Sequence, residues 1–119
     1  MPTPSETPLV TQGTHGSSNA YEIFAEPSAT EPAGYATYVD YEKDGVKQRI
    51  FPHTVVNSAF RGQGLASQLI RHALDDSIAA GFRIVPTCSY VAGWVRKHPE
   101  YLHHVDEPKL QHAEALGDL

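Results

Sequence analysis

Apolar and polar residues alternate along three segments in the first half of the chain, which is the pattern of half-buried β-strands. These segments cover residues 20–25, 34–42 and 46–56. The Asp44-Gly45 pair between the last two has the residue types of a two-residue hairpin turn. Pro52 predicts a bulge, a strand break or an exposed edge near its position, because proline cannot donate to a strand ladder. The sequence therefore predicts an antiparallel meander.

The pattern changes to helical spacing in the middle of the chain. Apolar residues recur three or four positions apart over residues 66–78, and Gly81 is placed to cap the end of this helix. Residues 82–86 are apolar and β-branched, which predicts a fourth strand, parallel to the third and reached by a right-handed crossover. Ser89 is expected to cap a second helix that ends before Pro99.

Both ends of the chain lack a clear pattern. Residues 1–19 are rich in Pro, Thr, Ser and Gly and bury too little surface to offset the entropy of ordering, so a disordered, acidic N-terminal tail is expected. Residues 105–119 are expected to form an edge strand or a tail. One domain, residues 20–104, is expected between them. The predicted fold class is α/β, with a mixed, mostly antiparallel sheet and two helices.

Charge and composition narrow the classes of function. The net charge is −5, and all nine Lys and Arg residues lie from Lys43 onward, so an anionic ligand is expected to bind that part of the chain. The absence of a basic tract argues against nucleic-acid binding. No apolar run approaches the roughly 20 residues that span a bilayer, and the N-terminal residues do not resemble a secretory signal. A cytoplasmic protein that does not bind membranes is therefore expected.

A glycine-rich turn joins the third strand to the first helix. Gly62 and Gly64 let backbone amides approach a ligand, and the following helix adds free N–H groups and the positive end of its dipole. This arrangement predicts a cradle for a phosphate-bearing ligand. A tight strand-to-helix turn without a ligand has the same pattern. The P-loop and dinucleotide-binding motifs fit the turn less well.

Four ordered blocks of residues give this turn a more specific meaning. The motif Arg61-x-x-Gly64-x-Ala66 resembles the acetyl-CoA-binding motif of the GNAT superfamily of N-acetyltransferases. The blocks together resemble a branch of small, single-domain members of that superfamily. In chain order they are His53-Thr54-Val55, residues 61–67, residues 86–91 and His98-Pro99-Glu100-Tyr101. The resemblance covers about residues 20–101 and implies a reduced GNAT-like fold, without the helical pair between the first two strands of a full-length domain.

The resemblance also implies acetyl-CoA as co-substrate. The pyrophosphate would lie on the backbone of residues 63–67, and Arg61 would steady the loop or face the phosphates. The pantetheine arm would pass between the third and fourth strands. The residues expected to bind CoA are Val55, Val56, Arg61, Gly62, Gln63, Gly64, Leu65, Ala66 and Ser67.

Direct acetyl transfer to an amine requires a base, an oxyanion donor and a proton for the departing thiolate. His53 is the candidate base, because it lies on the strand leading to the cradle and histidine titrates near neutral pH; a strand histidine bonded to a neighbour is the alternative. Cys88 is expected beside a helix N-terminus that favours a thiolate, and it is a candidate acetyl acceptor or a buried apolar filler. Tyr90 is a candidate donor to the thiolate or a packing residue.

The remaining aromatic residues and histidines are expected to be structural. His98 is expected to help end the second helix, and Trp94 and Tyr101 are expected to lie in the core. Residues 103–104 and His112 lack the ligand spacing of a metal site, so a solvated segment without metal is expected there.

The sequence thus predicts an acetyl-CoA-dependent acetyltransferase. The acceptor is expected to be an amine on a small molecule, a protein or a peptide. A non-catalytic sensor or adaptor that binds CoA or acyl-CoA is the alternative, because the helices that shape the acceptor side are missing. A nucleotide-binding module is a third hypothesis.

Overall fold

A computed structural model describes residues 8–60 and 62–117. Its main elements in chain order are strands β1 (Leu9–His15), β2 (Ser18–Phe24), β3 (Gly34–Lys43) and β4 (Val46–Val56), helix α1 (Leu65–Ala79), strand β5 (Arg83–Val85), and helices α2 (Ser89–Lys97) and α3 (Leu110–Ala115). Two 3-10 helices, Ser58–Phe60 and Pro99–His104, precede α1 and follow α2. The strands form one sheet in the order β1-β2-β3-β4-β5, which confirms the predicted fold class.

The sheet is antiparallel except at its last pair. Strands β4 and β5 run parallel, and they pair only from Gln48 to Ile50 on the β4 side. Strand β4 continues to Val56 with β3 as its partner, so its outer half has an edge that β5 does not cover in the described structure. The predicted hairpin turn is confirmed, because Asp44 and Gly45 have φ angles of 54° and 81°, as a type I′ turn requires.

Pro52 lies at a β-bulge, as predicted. Between the pairs Thr37–His53 and Val39–Ile50, β4 has two residues and β3 has one. A bulge bends a strand and increases its twist. The bulge follows directly on the last residue of β4 that pairs with β5, so the bend falls where the two strands part.

The core lies between the sheet and helices α1 and α2. The buried face of α1 comprises Leu65, Leu69, Ile70, Ala73, Leu74 and Ser77. It packs on the central strands, and Val91, Trp94 and Val95 of α2 complete the cluster. Each fully buried Leu or Ile side chain contributes about 1.5–3 kcal/mol to this packing. The rigid sheet therefore fixes where the first turn of α1 lies.

Glycine ends α1, as predicted. Gly81 has a φ of 91°, its N–H donates to the carbonyl of Ile78 at 3.0 Å, and the N–H of Phe82 donates to the carbonyl of Ser77 at 3.0 Å. This pair of bonds is the Schellman motif. The predicted cap of α2 is wrong by one residue: Cys88 is the N-cap, with an extended backbone and no side-chain cap bond, and Ser89 is the first helical residue.

The predicted disordered tail is wrong from Leu9 onward, where β1 begins. Strand β1 pairs with β2 along its whole length and is joined to it by a two-residue turn at residues 16–17. Val10 packs against the core, and Gln12 Nε2 donates to the hydroxyl of Tyr38 at 2.8 Å. This is an edge strand with most of its residues exposed, so its composition is polar. The strand was missed because that composition is also typical of a disordered segment. Residues 1–7 lie outside the described residues.

The C-terminal segment is also more ordered than predicted. Val105 makes one parallel bridge with Ile84, and α3 follows where an edge strand or a tail is predicted. His112 is buried, with 1% of its surface exposed, so the prediction of a solvated segment is wrong there. Its Nδ1 accepts the backbone N–H of Lys109 at 2.9 Å, and its Nε2 lies 2.9 Å from Oε1 of Gln48. The bond to Gln48 of β4 holds α3 against the sheet, and the bond from Lys109 caps the start of α3.

Candidate functional site

The predicted phosphate cradle is a cavity at the N-terminus of α1. It has a volume of about 340 Å³ and is lined by the end of β4, the 3-10 helix, the glycine turn, the first turn of α1 and Tyr90. Gly62 and Gly64 have φ angles of 83° and 74°, a left-handed backbone that favours glycine. Gly64 is the N-cap of α1 and supplies no side-chain bond, so among the described residues no side chain competes with a ligand for the first N–H groups of the helix. The cavity can therefore hold an anionic group at the positive end of the helix dipole.

Several residues predicted to bind CoA line this cavity, which is hereafter called the cradle. They are Val56, Gly62, Gly64, Leu65, Ala66 and Ser67. The side chain of Val55 is on the opposite face of β4, since successive strand residues alternate, and it is 47% exposed. Gln63 is exposed and does not line the cradle, and Arg61 lies outside the described residues. The roles of these residues in CoA binding stay predictions.

A hydrogen bond joins the cradle to α2. Trp94 Nε1 donates to Oγ of Ser67 at 2.9 Å, and the ring of His98 stacks on the Trp94 indole with centroids 3.8 Å apart. Nδ1 of His98 also lies 2.7 Å from the carbonyl oxygen of Trp94, at the end of α2. The predicted roles of Trp94 and Tyr101 in the core and of His98 at the helix end are confirmed.

A second contact between α1 and the segment after α2 lies further along the helix. Arg71 Nη1 donates to the hydroxyl of Tyr101 at 3.2 Å, and that hydroxyl donates to Asp75 Oδ1 at 2.6 Å. Burial raises the pKa of Tyr101, and its bond to Asp75 raises it further. The Arg71 guanidinium also lies 5.3 Å from the centre of the Trp94 ring. Burial and the Asp75 bond thus favour the protonated hydroxyl of Tyr101, and the Arg71 contacts tie α1 to α2 and the segment after it.

Tyr90 lies in the first turn of α2 and lines the cradle. It is 48% exposed, so a ligand in the cavity can reach its ring and hydroxyl. This exposure argues against the packing alternative, and the role of Tyr90 as proton donor stays a prediction.

Cys88 lies where the pairing between β4 and the chain after β5 ends. Its backbone N–H donates to the carbonyl of Phe51 at 2.9 Å, and Oγ1 of Thr87 donates to the same carbonyl at 3.2 Å. Cys88 is half-buried, packs against the core and precedes the first turn of α2. The backbone of Cys88 therefore lies between the outer half of β4 and the start of α2, and Cys88 is not among the residues that line the cradle.

His53 lines a different cavity, with a volume of about 580 Å³. This cavity is bounded by the β1–β2 turn, β3, Pro52, Thr87 and Leu116. Thr87 lines it and Tyr90 lines the cradle, with Cys88 between them in the chain. The structure thus places the candidate base on one cavity and the candidate proton donor on the other, with the thiol between them in sequence.

Thr54 is a site residue that the sequence did not single out as a ligand contact. Its Oγ1 is buried and has no hydrogen-bond partner within the described part of the chain. Thr54 pairs with the core residue Ala36, so its side chain lies on the helix-facing side of the sheet. A buried hydroxyl without a partner costs about 1–3 kcal/mol, which a ligand amide or carbonyl would offset.

Other lining residues of the two cavities were also missed. Asn57 and Phe60 line the cradle, and Thr87 lines the cavity with His53. Asn57 Oδ1 accepts the N–H of Ala59 at 2.9 Å, so an Asn followed by a small polar residue was an available turn signal. Nothing in the sequence around Thr87 distinguishes a threonine at the end of a strand from one that contacts a ligand.

A polar network that includes Asp40, a lining residue of the second cavity, lies between the sheet and α1. Both carboxylate oxygens of Asp40 accept bonds from Arg49, at 2.6 and 3.1 Å, and Arg49 is 5% exposed. Arg49 Nη1 donates to the hydroxyl of Tyr21 at 2.8 Å, and that hydroxyl donates to Asp76 at 2.6 Å. Burial, together with the Asp76 bond, raises the pKa of Tyr21 to about 12. Arg49 therefore serves the fold and is not free to bind a ligand.

The remaining histidine pair lies away from both cavities. The rings of His103 and His104 lie 4.0 Å apart, and burial lowers the pKa of His104, with a further lowering from His103. Within residues 8–60 and 62–117, no group of three or more His, Cys, Asp or Glu side chains could hold a metal ion. None of the helices in those ranges is long and apolar enough to cross a membrane.

Comparison with known sequences gives a family match. The model of the GCN5-related N-acetyl-transferase family matches residues 20–105. Protein NATD1 from Gallus gallus is 34% identical over 67 residues, which cover 55% of this chain and 61% of that protein. Protein NATD1 from Homo sapiens is 33% identical over 67 residues, which cover 55% of this chain and 59% of that protein. The match thus spans about three fifths of the length of these relatives.

Comparison with solved structures gives the same fold. Glucosamine-6-phosphate N-acetyltransferase from Arabidopsis thaliana superposes with a TM-score of 0.53 at 20% identity, over 76% of this chain and 60% of that chain. Ribosomal-protein-alanine N-acetyltransferase from Brucella melitensis biovar Abortus 2308 gives 0.53 at 17% identity, over 77% of this chain and 64% of that chain. At these identities the likeness concerns the fold alone. Because the family model covers more than half of the sequence, this chain belongs to the GCN5-related N-acetyltransferase family.

Proposed function

We propose that this protein transfers the acetyl group of acetyl-CoA to an amine. The observation that carries the proposal is the cradle, in which two left-handed glycines lead to a helix N-terminus that has no side-chain cap. Free N–H groups at such a terminus bind anions, and the pyrophosphate of CoA supplies the negative charge. Family membership supports CoA as the source of that pyrophosphate.

The pantetheine arm is proposed to follow the outer half of β4. Beyond Phe51, β4 has β3 as a partner on one side and no strand pairing with β5 on the other. The backbone groups on the open side are available to the two amides of the arm. Thr54 Oγ1, which is buried and has no partner among the described residues, offers a further bond. The thioester would then lie near Cys88, at the closed end of the gap.

In the proposed reaction, each of the two cavities contributes one residue that transfers a proton. His53 accepts a proton from the acceptor amine, and the amine nitrogen attacks the thioester carbonyl carbon. A C–N bond forms, the tetrahedral intermediate collapses, and the C–S bond breaks. The Tyr90 hydroxyl, on the cradle side, donates a proton to the departing thiolate and recovers one from solvent. Support for these roles is that His53 lines the cavity away from the cradle and Tyr90 lines the cradle.

A route through Cys88 is the alternative mechanism. In that route the Cys88 thiolate attacks the thioester, CoA leaves as a thiolate, and the amine then attacks the acetyl-cysteine. The position of Cys88 at the N-cap of α2, half-buried beside the gap, supports it. Both routes need a base for the amine, so His53 serves in either.

A non-catalytic CoA sensor or adaptor is the second candidate function. It is supported by the short connections on the acceptor side, since β1 and β2 are joined by two residues and no helix lies between β2 and β3. An open acceptor side fits a protein that binds acyl-CoA and presents it to a partner.

Ligand binding and turnover distinguish these functions. Thermal-shift titrations with CoA, acetyl-CoA, ATP and NAD test the ligand class, because a ligand that binds the folded state raises the midpoint. Thiol release from acetyl-CoA with a panel of amines then tests turnover. The acetyltransferase predicts a shift with CoA and amine-dependent release; tight binding without release favours the sensor. A larger shift with ATP or NAD than with CoA would contradict both and favour a nucleotide-binding module.

A further inference from the structure

We propose that the cavity lined by His53 is the acceptor site, and that it takes a small primary amine that carries hydroxyl groups and no anionic group. We call this cavity the acceptor groove; it lies between the β1–β2 turn, β3, the bulge of β4, Thr87 and Leu116. The inference rests on the proposed acetyl transfer and adds the side of entry and the substrate class.

The acceptor groove and the cradle approach the reaction centre from different sides. Ala36 and Tyr38 belong to the core beneath the helices, so Thr37 between them faces away from α1 and α2. His53 is the direct partner of Thr37 in the β3–β4 pairing and shares that face. The cradle lies at the N-terminus of α1. An amine beside His53 therefore approaches the thioester from the face opposite the helices, while CoA enters from the helix side.

One backbone carbonyl connects the wall of the acceptor groove to the start of α2. Oγ1 of Thr87, a residue of the groove, donates to the carbonyl oxygen of Phe51 at 3.2 Å. The N–H of Cys88 donates to the same oxygen at 2.9 Å. The groove wall is thus one residue from the start of α2, where the pairing with β4 ends.

The size of the acceptor groove fits a small molecule. Its volume of about 580 Å³ falls within the range of roughly 300–1,000 Å³ that is common for small-molecule sites. The two-residue β1–β2 turn closes one part of its boundary, and Leu116, which follows α3, contributes to another. A pocket with these bounds holds a compact amine more readily than an extended peptide.

The chemistry of the lining selects the substrate class. Hydroxyl and amide groups come from Ser17, Ser18, Asn19 and Thr37, and the charged side chain among the lining residues is Asp40. None of the described residues that line the groove is Lys or Arg. Hydroxyl and amide groups both donate and accept hydrogen bonds, which suits a hydroxylated amine. The Asp40 carboxylate is already paired with Arg49. A phosphate or carboxylate on the acceptor would find no Lys or Arg among these described lining residues to compensate its charge, which disfavours its binding.

Matched pairs of amines test this substrate class. The probes are glucosamine and glucosamine 6-phosphate, ethanolamine and phosphoethanolamine, and a lysine-containing peptide, each with acetyl-CoA in a thiol-release assay. We expect kcat/KM to be at least about tenfold higher for the unphosphorylated member of each pair, a difference of about 1.4 kcal/mol. Preference for the phosphorylated amines or for the peptide would overturn the proposal, and so would the absence of turnover with every probe when CoA binds.

A groove variant tests the location. Ser18 is exposed, lines the groove and shares the strand face of Ala20, the direct partner of Thr37, so Ser18→Arg fills the groove with a cation and leaves the cradle intact. We expect KM for the unphosphorylated amine to rise about tenfold, with the Kd of CoA unchanged, because a lost binding contact raises KM without changing kcat. Ser28→Arg, on an exposed loop, is the matched control and should match the wild type. Unchanged KM in Ser18→Arg would refute the location, whereas failure of the wild type to bind CoA would refute the proposed function instead.

Discussion

The indole N–H of Trp94 donates a 2.9 Å hydrogen bond to Oγ of Ser67, one of the residues that line the cradle. This bond joins α2, which carries Tyr90, to the first turn of α1, which is proposed to hold the pyrophosphate. The two parts of the proposed CoA site are therefore held in one relative position by a contact between residues that are far apart in the sequence.

Ser67→Ala should destabilise the protein. The substitution leaves the buried Trp94 N–H without its partner, at a cost of about 1–3 kcal/mol in the free energy of unfolding. Urea unfolding monitored by tryptophan fluorescence measures this change. Ser89→Ala, at an exposed position of α2, is the control and should change the free energy by less than about 0.5 kcal/mol. Equal stability of the two variants would show that the indole bond does not contribute.

Gly34→Ala should displace the end of β4 that lines the cradle. A Cβ at Gly34 would lie 2.7 Å from the carbonyl oxygen of Val55 and 2.8 Å from Cγ2 of Val56, so the strand has to move. Overpacking of this kind costs about 1–3 kcal/mol. Calorimetry should show weaker CoA binding as well as lower stability. Gly13→Ala is the matched control, because nothing lies within 4 Å of a Cβ there; equal effects of the two would contradict the mechanism.

The stability of the protein should fall on mild acidification because of His112. Burial lowers the pKa of His112 below its ordinary value of 6.5, and its Nδ1 is occupied as an acceptor. Asp106 raises this pKa and Lys109 lowers it, but burial has the largest effect. The unfolded chain therefore binds a proton more readily than the folded one, so stability is present above pH 6.5 and is lost as the pH falls toward the folded pKa.

The measurement is the urea midpoint between pH 7 and pH 5. His112→Gln should have a shallower pH dependence than the wild type, in addition to lower stability at pH 7. His72→Gln, at an exposed position of α1, keeps the wild-type dependence. Because burial also lowers the pKa of His104, some dependence will remain in His112→Gln. A wild-type slope in His112→Gln would show that this histidine is not the source.

His53→Gln should lower kcat and leave the Kd of CoA unchanged. Its side chain lines the acceptor groove and not the cradle, so CoA binding does not depend on it. Removal of a general base lowers the rate by roughly 10²–10⁴-fold. Thiol-release kinetics and calorimetry give the two quantities, and His72→Gln again serves as the control. A kcat within about twofold of the wild type would remove His53 from the mechanism.

Cys88→Ala separates direct transfer from the covalent route. If the amine attacks acetyl-CoA directly, this variant keeps most of its activity, and peptide mass spectrometry finds no acetyl group on the wild-type Cys88 after incubation with acetyl-CoA. If Cys88 takes the acetyl group first, the variant is inactive and the wild type carries an acetyl-cysteine in the absence of an amine. Loss of activity without any acetyl-cysteine would indicate that Cys88 matters for packing, consistent with its contact with the core.

The parts of the fold that were predictable are those set by nearby residues. The Asp44-Gly45 turn, the bulge at Pro52 and the Gly81 cap each follow from backbone preferences of one or two residues. Strand β1 and helix α3 were missed because long-range contacts stabilise them. Strand β1 depends on pairing with β2, and α3 depends on the bond between His112 and Gln48.

The candidate site also has a part that was predictable from nearby residues and a part that was not. Most of the cradle is one continuous stretch from Val56 to Ser67, so its motif was readable in the sequence. The acceptor groove combines the β1–β2 turn, His53, Thr87 and Leu116, which only the pairing of the strands and the packing of the C-terminal segment bring together. The contact between Ser67 and Trp94 likewise depends on how the two helices pack.

CoA binding at the N-terminus of α1 is the central claim, and titration calorimetry of CoA into the wild type and Ala66→Glu tests it most directly. Ala66 lies in the first turn of α1 and lines the cradle, so a carboxylate there repels the pyrophosphate. The same carboxylate favours the helix by about 0.3–1 kcal/mol through the helix dipole, so lost binding will not reflect unfolding. The prediction is one CoA per wild-type chain and no binding to Ala66→Glu. Absence of CoA binding to the wild type, or equal affinity in both proteins, would contradict it.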